Sequence, residues 1–320
     1  MNSKRLIMVM ALLMGPVGMA GPLQLERIDA SADWLAHIDM DQLRASKVGQ
    51  LIRQEIRNRH LEKKLAAVAQ VFSFHPIDDI SDVTLYGQGA DKEKAVLMLK
   101  GHFDAQALLN LLNANPSYEK IARANRTVHS WVADKGPDAG QRKYGLFYGE
   151  DLIVIANTIE ALLQATAVLD GGPPNCAAKD PFALAEQDHT GTIMTLAAVG
   201  ISEMTFNKTR SPLLNEVDRL SVMLGENDQQ CYAHLVCDAN SADAARQINQ
   251  VVQGLLAYGT LAQSKCPKMA LLARATKCYI NDKRVELIVE YNAQDVFAGL
   301  KEIALKMRQR QQKKQEISQQ

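Results

Sequence analysis

The sequence predicts an α+β fold made of two similar modules, each an antiparallel sheet with amphipathic helices packed on one face. Three observations predict it. Short apolar runs come in pairs separated by turn residues, as hairpins do. Segments of helical spacing follow behind capping residues. The same order of hairpin and helix returns after a break at Gly171-Gly172-Pro173-Pro174-Asn175.

Taken in order, residues 33–40 alternate, with Ala36, Ile38 and Met40 on one face and His37 and Asp39 on the other. That is the pattern of a half-buried strand with its polar residues in solvent. Asp41 is placed to cap the next helix, which carries Leu43, Val48, Leu51, Ile52 and Ile56 and bends near Asn58-Arg59-His60 before Leu61, Leu65, Val68 and Val71. Residues 82–87 and 95–100 form a hairpin, and Asp104 caps the apolar Leu108-Leu109-Asn110-Leu111-Leu112. A hairpin over 118–132 turns near Asn125-Arg126, another joins 144–148 to 152–156, and a helix runs from Thr158 to about Leu169.

After the break, strands are predicted at 192–198, 219–225 and 231–237, then a helix opened by Asn240-Ser241. A last hairpin joins 277–280 to 285–291 across Asn281-Asp282, and a helix begins at Gln294. Gly87 and Gly225 end corresponding strands, each followed by a polar turn, an apolar strand and a capped helix. Few residues are identical between the halves, so the match is one of plan.

The N-terminus reads as a secretory signal at 1–20. Lys4 and Arg5 precede an apolar run from Leu6 to Met14, Gly15-Pro16 breaks it, and Gly18-Met19-Ala20 supplies small residues before a cut. The run is about half the 20 or so apolar residues that a spanning helix needs. The expected organisation is a first module over 21–170, a linker over 171–191, a second module over 192–306 and a polar basic tail over 307–320. The mature chain is expected to be periplasmic or secreted, with no membrane span. Acidic and basic residues balance at 36 each, which argues against a nucleic-acid partner, since that needs a concentrated basic face.

The cysteines Cys176, Cys231, Cys237, Cys266 and Cys278 all lie in the second half of the sequence. In an exported protein they favour disulfides, with Cys231, Cys237, Cys266 and Cys278 as candidates and the pairing left open. Their spacings fit no zinc pattern. The sharpest polar cluster is His37, Asp39 and Asp41, alternate positions that a strand points one way and that would suit a cation; the competing reading is a solvated face with Asp41 spent as a cap. His75 with Asp78 and Asp79 reads as a turn, His234 as a surface residue, and Asp188-His189 as a loop dyad without an assignable nucleophile. No nucleophile elbow, phosphate loop or zinc-protease motif occurs, and Gly87-Gln88-Gly89 precedes a strand where a dinucleotide loop needs a helix.

The opening Ala32-Asp33-Trp34-Leu35-Ala36-His37-Ile38-Asp39, the following Leu43-Arg44-Ala45-Ser46-Lys47-Val48-Gly49, and Asp79-Ile80-Ser81-Asp82-Val83-Thr84-Leu85-Tyr86-Gly87 resemble uncharacterised exported bacterial proteins built from duplicated hairpin–helix modules. That resemblance implies no activity. The expectation is an exported, non-enzymatic protein without a cofactor that binds, scaffolds or associates with an unknown protein or envelope partner. The alternatives are an extracytoplasmic hydrolase with an unrecognised site, or a carrier of an apolar molecule between sheet and helices.

Overall fold

The computed structural model describes residues 23–89, 91–134, 138–179, 182, 191–202, 212–261 and 267–302. The expected signal segment, the tail, Cys266, Asp188 and His189 lie outside the described residues. The strands are β1 (Trp34–Asp39), β2 (Ile80–Gly87), β3 (Val96–Gly101), β4 (Glu119–Arg123), β5 (Arg126–Val132), β6 (Arg142–Tyr148) and β7 (Leu152–Ala156) in the first half. The second half supplies β8 (Thr192–Val199), β9 (Val217–Asn227), β10 (Gln230–Ala239), β11 (Thr276–Asn281) and β12 (Arg284–Asn292). The helices are α1 (Met40–Ala45), α2 (Lys47–Asn58), α3 (Glu62–Phe72), α4 (Ala105–Asn113), α5 (Ile159–Leu169), α6 (Cys176–Lys179), α7 (Ala242–Leu261) and α8 (Pro267–Ala275). Residues 293–302 form a further helix, α9.

All the strands join one antiparallel sheet of 12, in the order β11-β12-β10-β9-β8-β1-β2-β3-β7-β6-β5-β4. The α+β class holds, and the sheets of the two expected modules continue into one another. The halves meet where β1 pairs antiparallel with β8, Ala36 opposite Leu196. From that seam five strands of each half run outward in matching order, β1-β2-β3-β7-β6 and β8-β9-β10-β12-β11; the first half adds β5 and β4 beyond them and α1, α2 and α3 between β1 and β2.

The local chemistry follows the sequence. Ser46 interrupts the first helical stretch and caps α2 by accepting from Gly49 N at 2.9 Å. His60, with φ of 52°, separates α2 from α3. Asp104 and Thr158 cap α4 and α5. The tight turn between β4 and β5 puts Ala124 and Asn125 both at positive φ, the geometry that matches strand twist.

Register assigns the faces, because residues opposite one another on neighbouring strands share a side. One row crosses the whole sheet: Lys120, His129, Gly145, Ile155, Leu97, Leu85, Ala36, Leu196, Val222, Leu235, Leu287 and Cys278. We call this the front. On the back, Val96, Met98, Val154 and Ala156 pack with Leu162 and Ala165 of α5 and with Leu25 and Ile28 into the main core. The expectation of helices on one face is exceeded here: β3 and β7 are apolar at successive positions, so both of their faces need cover, and α4 lies across the front. In the second half Ala244, Ala245 and Ile248 of α7 close directly on Cys237, Val285 and Leu287 on the front.

In the segment 171–191, expected as a linker, Gly171, Gly172 and Pro174 are exposed and two of the described residues after them are packed. Asn175 bridges to Asp29, Cys176 N donates to Ile28 O at 2.8 Å, and Cys176 and Phe182 are buried in the main core.

A candidate ligand cavity beneath α4

The front faces of β3, β7, β6 and β5 form the wall of a cavity of about 600 Å³ beneath α4. That volume lies in the range of small-molecule sites. The wall carries Leu99, Ile153, Ile155, Phe147 and Trp131, and Leu108, Leu111 and Leu112 of α4 face it. Phe72 and Phe74 reach in from the end of α3, and Phe74 meets Phe103 edge-on with ring centroids 5.3 Å apart. A Cβ at Gly145 would stand 3.2 Å from the Trp131 ring, so the glycine gives the indole its place across β6.

His129 and Asp134 are the ionisable side chains among the described lining residues. The His129 ring stacks on Tyr118 and shares a 2.9 Å hydrogen bond between Nδ1 and the Tyr118 hydroxyl. Burial, helped by Lys120, holds His129 below the usual histidine range, so it is neutral at neutral pH. Asn115 is engaged as well, donating to Val132 O at 3.2 Å and accepting from Ser117. The cavity offers apolar contact and a few polar anchors near its edge, the pattern of a site that selects by shape.

The residues singled out from sequence lie elsewhere. β1 turns Leu35, His37 and Asp39 inward, the reverse of the expected exposure, because the back of the sheet is covered there. Asp39, not Asp41, caps α1, accepting from Gln42 N at 2.8 Å; Asp41 pairs with Arg44. No three His, Cys, Asp or Glu side chains come together as a metal set among the described residues. His37 bonds through Nδ1 to Thr84 Oγ1 at 2.9 Å, and its Nε2 is buried without a hydrogen-bond partner. Burial pushes His37 down to about 4 and Asp82 up to about 6. His234, expected on the surface, is buried, with Nε2 3.8 Å from Glu286. His75 with Asp78 and Asp79 forms the expected turn: Asp79 accepts from His75 N at 2.6 Å.

The disulfide expectation is corrected for the described cysteines. Among the described residues, none of Cys176, Cys231, Cys237 and Cys278 is joined to another in a disulfide. Cys231 and Cys237 share strand β10 and point the same way six residues apart, roughly 20 Å along an extended chain. Cys278 sits on β11, two strands from β10, roughly 10 Å away. Bridging needs Cα atoms within about 7 Å. Burial raises the Cys231 and Cys237 thiols to about 11, which makes them unreactive.

The cavity residues escaped the sequence reading. The available sign was the pair of strands apolar at every position, β7 with Leu152 to Ala156 and β3 with Val96 to Leu99, which demand cover on two faces.

No family model matches the chain, and no curated protein does. Among solved structures it is similar in outline to crystal form III of TP0453, with a TM-score of 0.48 at 9% identity over 87% of this chain and 98% of that one. Crystal form I of TP0453 gives 0.44 at 10% identity over 87% and 96%. Crystal form IV gives 0.43 at 11% over 89% and 99%. No residue role follows from likeness at this level.

Proposed function

We propose that this is an exported, non-enzymatic binding protein that carries an apolar small molecule in the cavity beneath α4. The observation that supports the reading is the cavity itself: about 600 Å³ walled by leucine, isoleucine and aromatic side chains. The side chains that line it present apolar surface to an open site, and an apolar ligand seated there takes that surface out of water. The absence of recognisable catalytic motifs in the sequence favours binding over turnover. The N-terminal segment 1–20 supports export.

The test uses the mature chain, residues 21–320, with a fluorescent fatty acid as probe. Saturable binding is expected, and Ile155→Trp, which fills the cavity from its wall, should weaken it at least tenfold with an unchanged far-UV spectrum. A parent chain that binds no probe, or a variant that binds as tightly as the parent, would sink the reading. Intact-mass measurement of the exported protein tests the leader, since cleavage after Ala20 removes residues 1–20.

A further inference from the structure

The sheet is open, so it has two edges, and the edges differ. β4 is five residues long and carries Glu119, Lys120 and Arg123, with Arg142 of β6, across β5, 3.3 Å from Glu119. Short strands with charges on the edge are how proteins discourage pairing with another chain. β11 reads Thr276-Lys277-Cys278-Tyr279-Ile280-Asn281, has one charge, and leaves Tyr279 52% and Ile280 41% exposed on opposite faces. Among the described residues β11 pairs only with β12. Beside this edge the helices are also apolar at their surface: α7 exposes Leu255 and Tyr258, and α8 exposes Leu271 and Leu272. From Val251 to Leu261, α7 carries no charged residue at all.

We propose that β11 is the docking edge for a second copy of this chain, the two β11 strands pairing antiparallel about a two-fold axis through Tyr279. The register follows from geometry. A two-fold axis perpendicular to the sheet keeps front on front, so residues meet partners of the same parity. Centring on Ile280 runs past the end of β11 and brings Lys277 toward the turn that holds Lys283 of the second copy, and centring on Cys278 sets Lys277 against Tyr279 and Ile280 against Thr276, so that apolar side chains face polar ones. Centring on Tyr279 sets the two tyrosines together on the back and Cys278 against Ile280 on the front. Asn281 and Arg284 close a two-residue turn and are opposite one another. Counting from that closing pair, Tyr279 bonds inward to β12, and the N–H and C=O groups of Cys278 and Ile280 point outward. In the Tyr279-centred register those outward groups meet one another as hydrogen-bonded pairs. Net charge does not oppose the association: the chain is balanced, and loss of Lys4 and Arg5 with residues 1–20 leaves 34 cations against 36 anions, a net of −2. A second copy is thus matched in hydrogen bonding, apolar surface and charge at one register.

The experiment is light scattering and native mass spectrometry of residues 21–320 across micromolar concentrations. The parent chain is expected at twice the monomer mass, with Ile280→Lys and, on the opposite face, Tyr279→Lys each shifting it to monomer while the far-UV spectrum and probe binding persist. Tyr279→Cys is expected to give a covalent dimer on mild oxidation above the parent's level, since paired residues at non-hydrogen-bonded sites stand about 4.5 Å apart. A monomeric parent, or a dimer that survives both lysine substitutions, would overturn the proposal. Loss of the dimer in both lysine variants without cross-linking at 279 would overturn the register.

Discussion

The two halves of the sheet share the order of their first five strands out from the seam and treat the same face differently. In the second half α7, a helix of 20 residues, presents Ala244 and Ala245 to the front, and both are almost wholly buried. Small side chains let a helix approach closely, and the space beneath closes into a core. In the first half α4 has nine residues and presents leucines, none of them fully buried. Long side chains on a short helix, set against Trp131 and Phe147 on the strands, hold the layers apart. One plan thus yields a core at one end and a cavity at the other, and the choice lies in the size of a few side chains.

The seam on which both halves hang gives the largest predicted effect. His37 on β1 and Asp82 on β2 are both buried near it and both disfavour charge. Asp82 is raised mainly by burial, with Lys100 and Arg27 pulling it down and Asp39 and Asp151 pushing it up. A raised carboxylate gives stability present below its unfolded value near 4 and lost as pH rises through about 6. A depressed histidine does the reverse: its contribution is present above about 6.5 and lost as pH falls through about 4. The two slopes cancel in the parent chain. In Asp82→Asn, stability should rise from pH 4 to 6.5, and in His37→Gln it should fall from pH 4 to 6, each by on the order of 3 kcal/mol. Urea titrations at several pH values check this; equal slopes in parent and variants would refute it.

The contrast between core and cavity gives the next effect. Ala245→Leu overpacks the closed half and should cost about 1–3 kcal/mol in urea unfolding, leaving probe binding as it was. Leu111→Ala, on the cavity side, should cost about 1 kcal/mol, less than a buried leucine, because the side chain already faces open space. It should also admit a bulkier probe. If both substitutions cost the same, the first half is as closed as the second and the contrast fails.

The smallest effect concerns a contact between the halves. Glu226 of β9 accepts from Lys47 N at 2.5 Å and Val48 N at 2.9 Å, placing a carboxylate at the start of α2. Glu226→Gln keeps the shape and removes the charge, and thermal unfolding should show a loss of about 0.5–1 kcal/mol.

Much of the local structure was legible. The cap at Asp104, the start of a helix at Thr158 and the bend near His60 come from residues whose preferences act on their own backbone, and the turn read near Asn125-Arg126 stands one residue earlier, at Ala124-Asn125. The candidate metal residues show where that reading stops. Alternation in β1 identifies two faces, and hydrophobicity assigned Ala36 and Ile38 to the interior. In the folded sheet Leu35, His37 and Asp39 are the buried set, because α5 and the N-terminal segment cover the back and leave part of the front open. Leu85, Leu196 and Leu224 are exposed on that open stretch for the same reason. The cysteines repeat the lesson: their number suggested bridges, and strand positions keep the described ones apart.

The sequence by itself determined the α+β class and nearly every strand and helix. Those depend on period, turn chemistry and capping, which act over a few residues. Only the tertiary structure decided that the sheets merge at β1 and β8, that a histidine and two aspartates are buried at that seam, and that α4 stands off to leave a cavity. Those depend on which surfaces meet across more than 100 residues of chain, and the packing of facing side chains settles it.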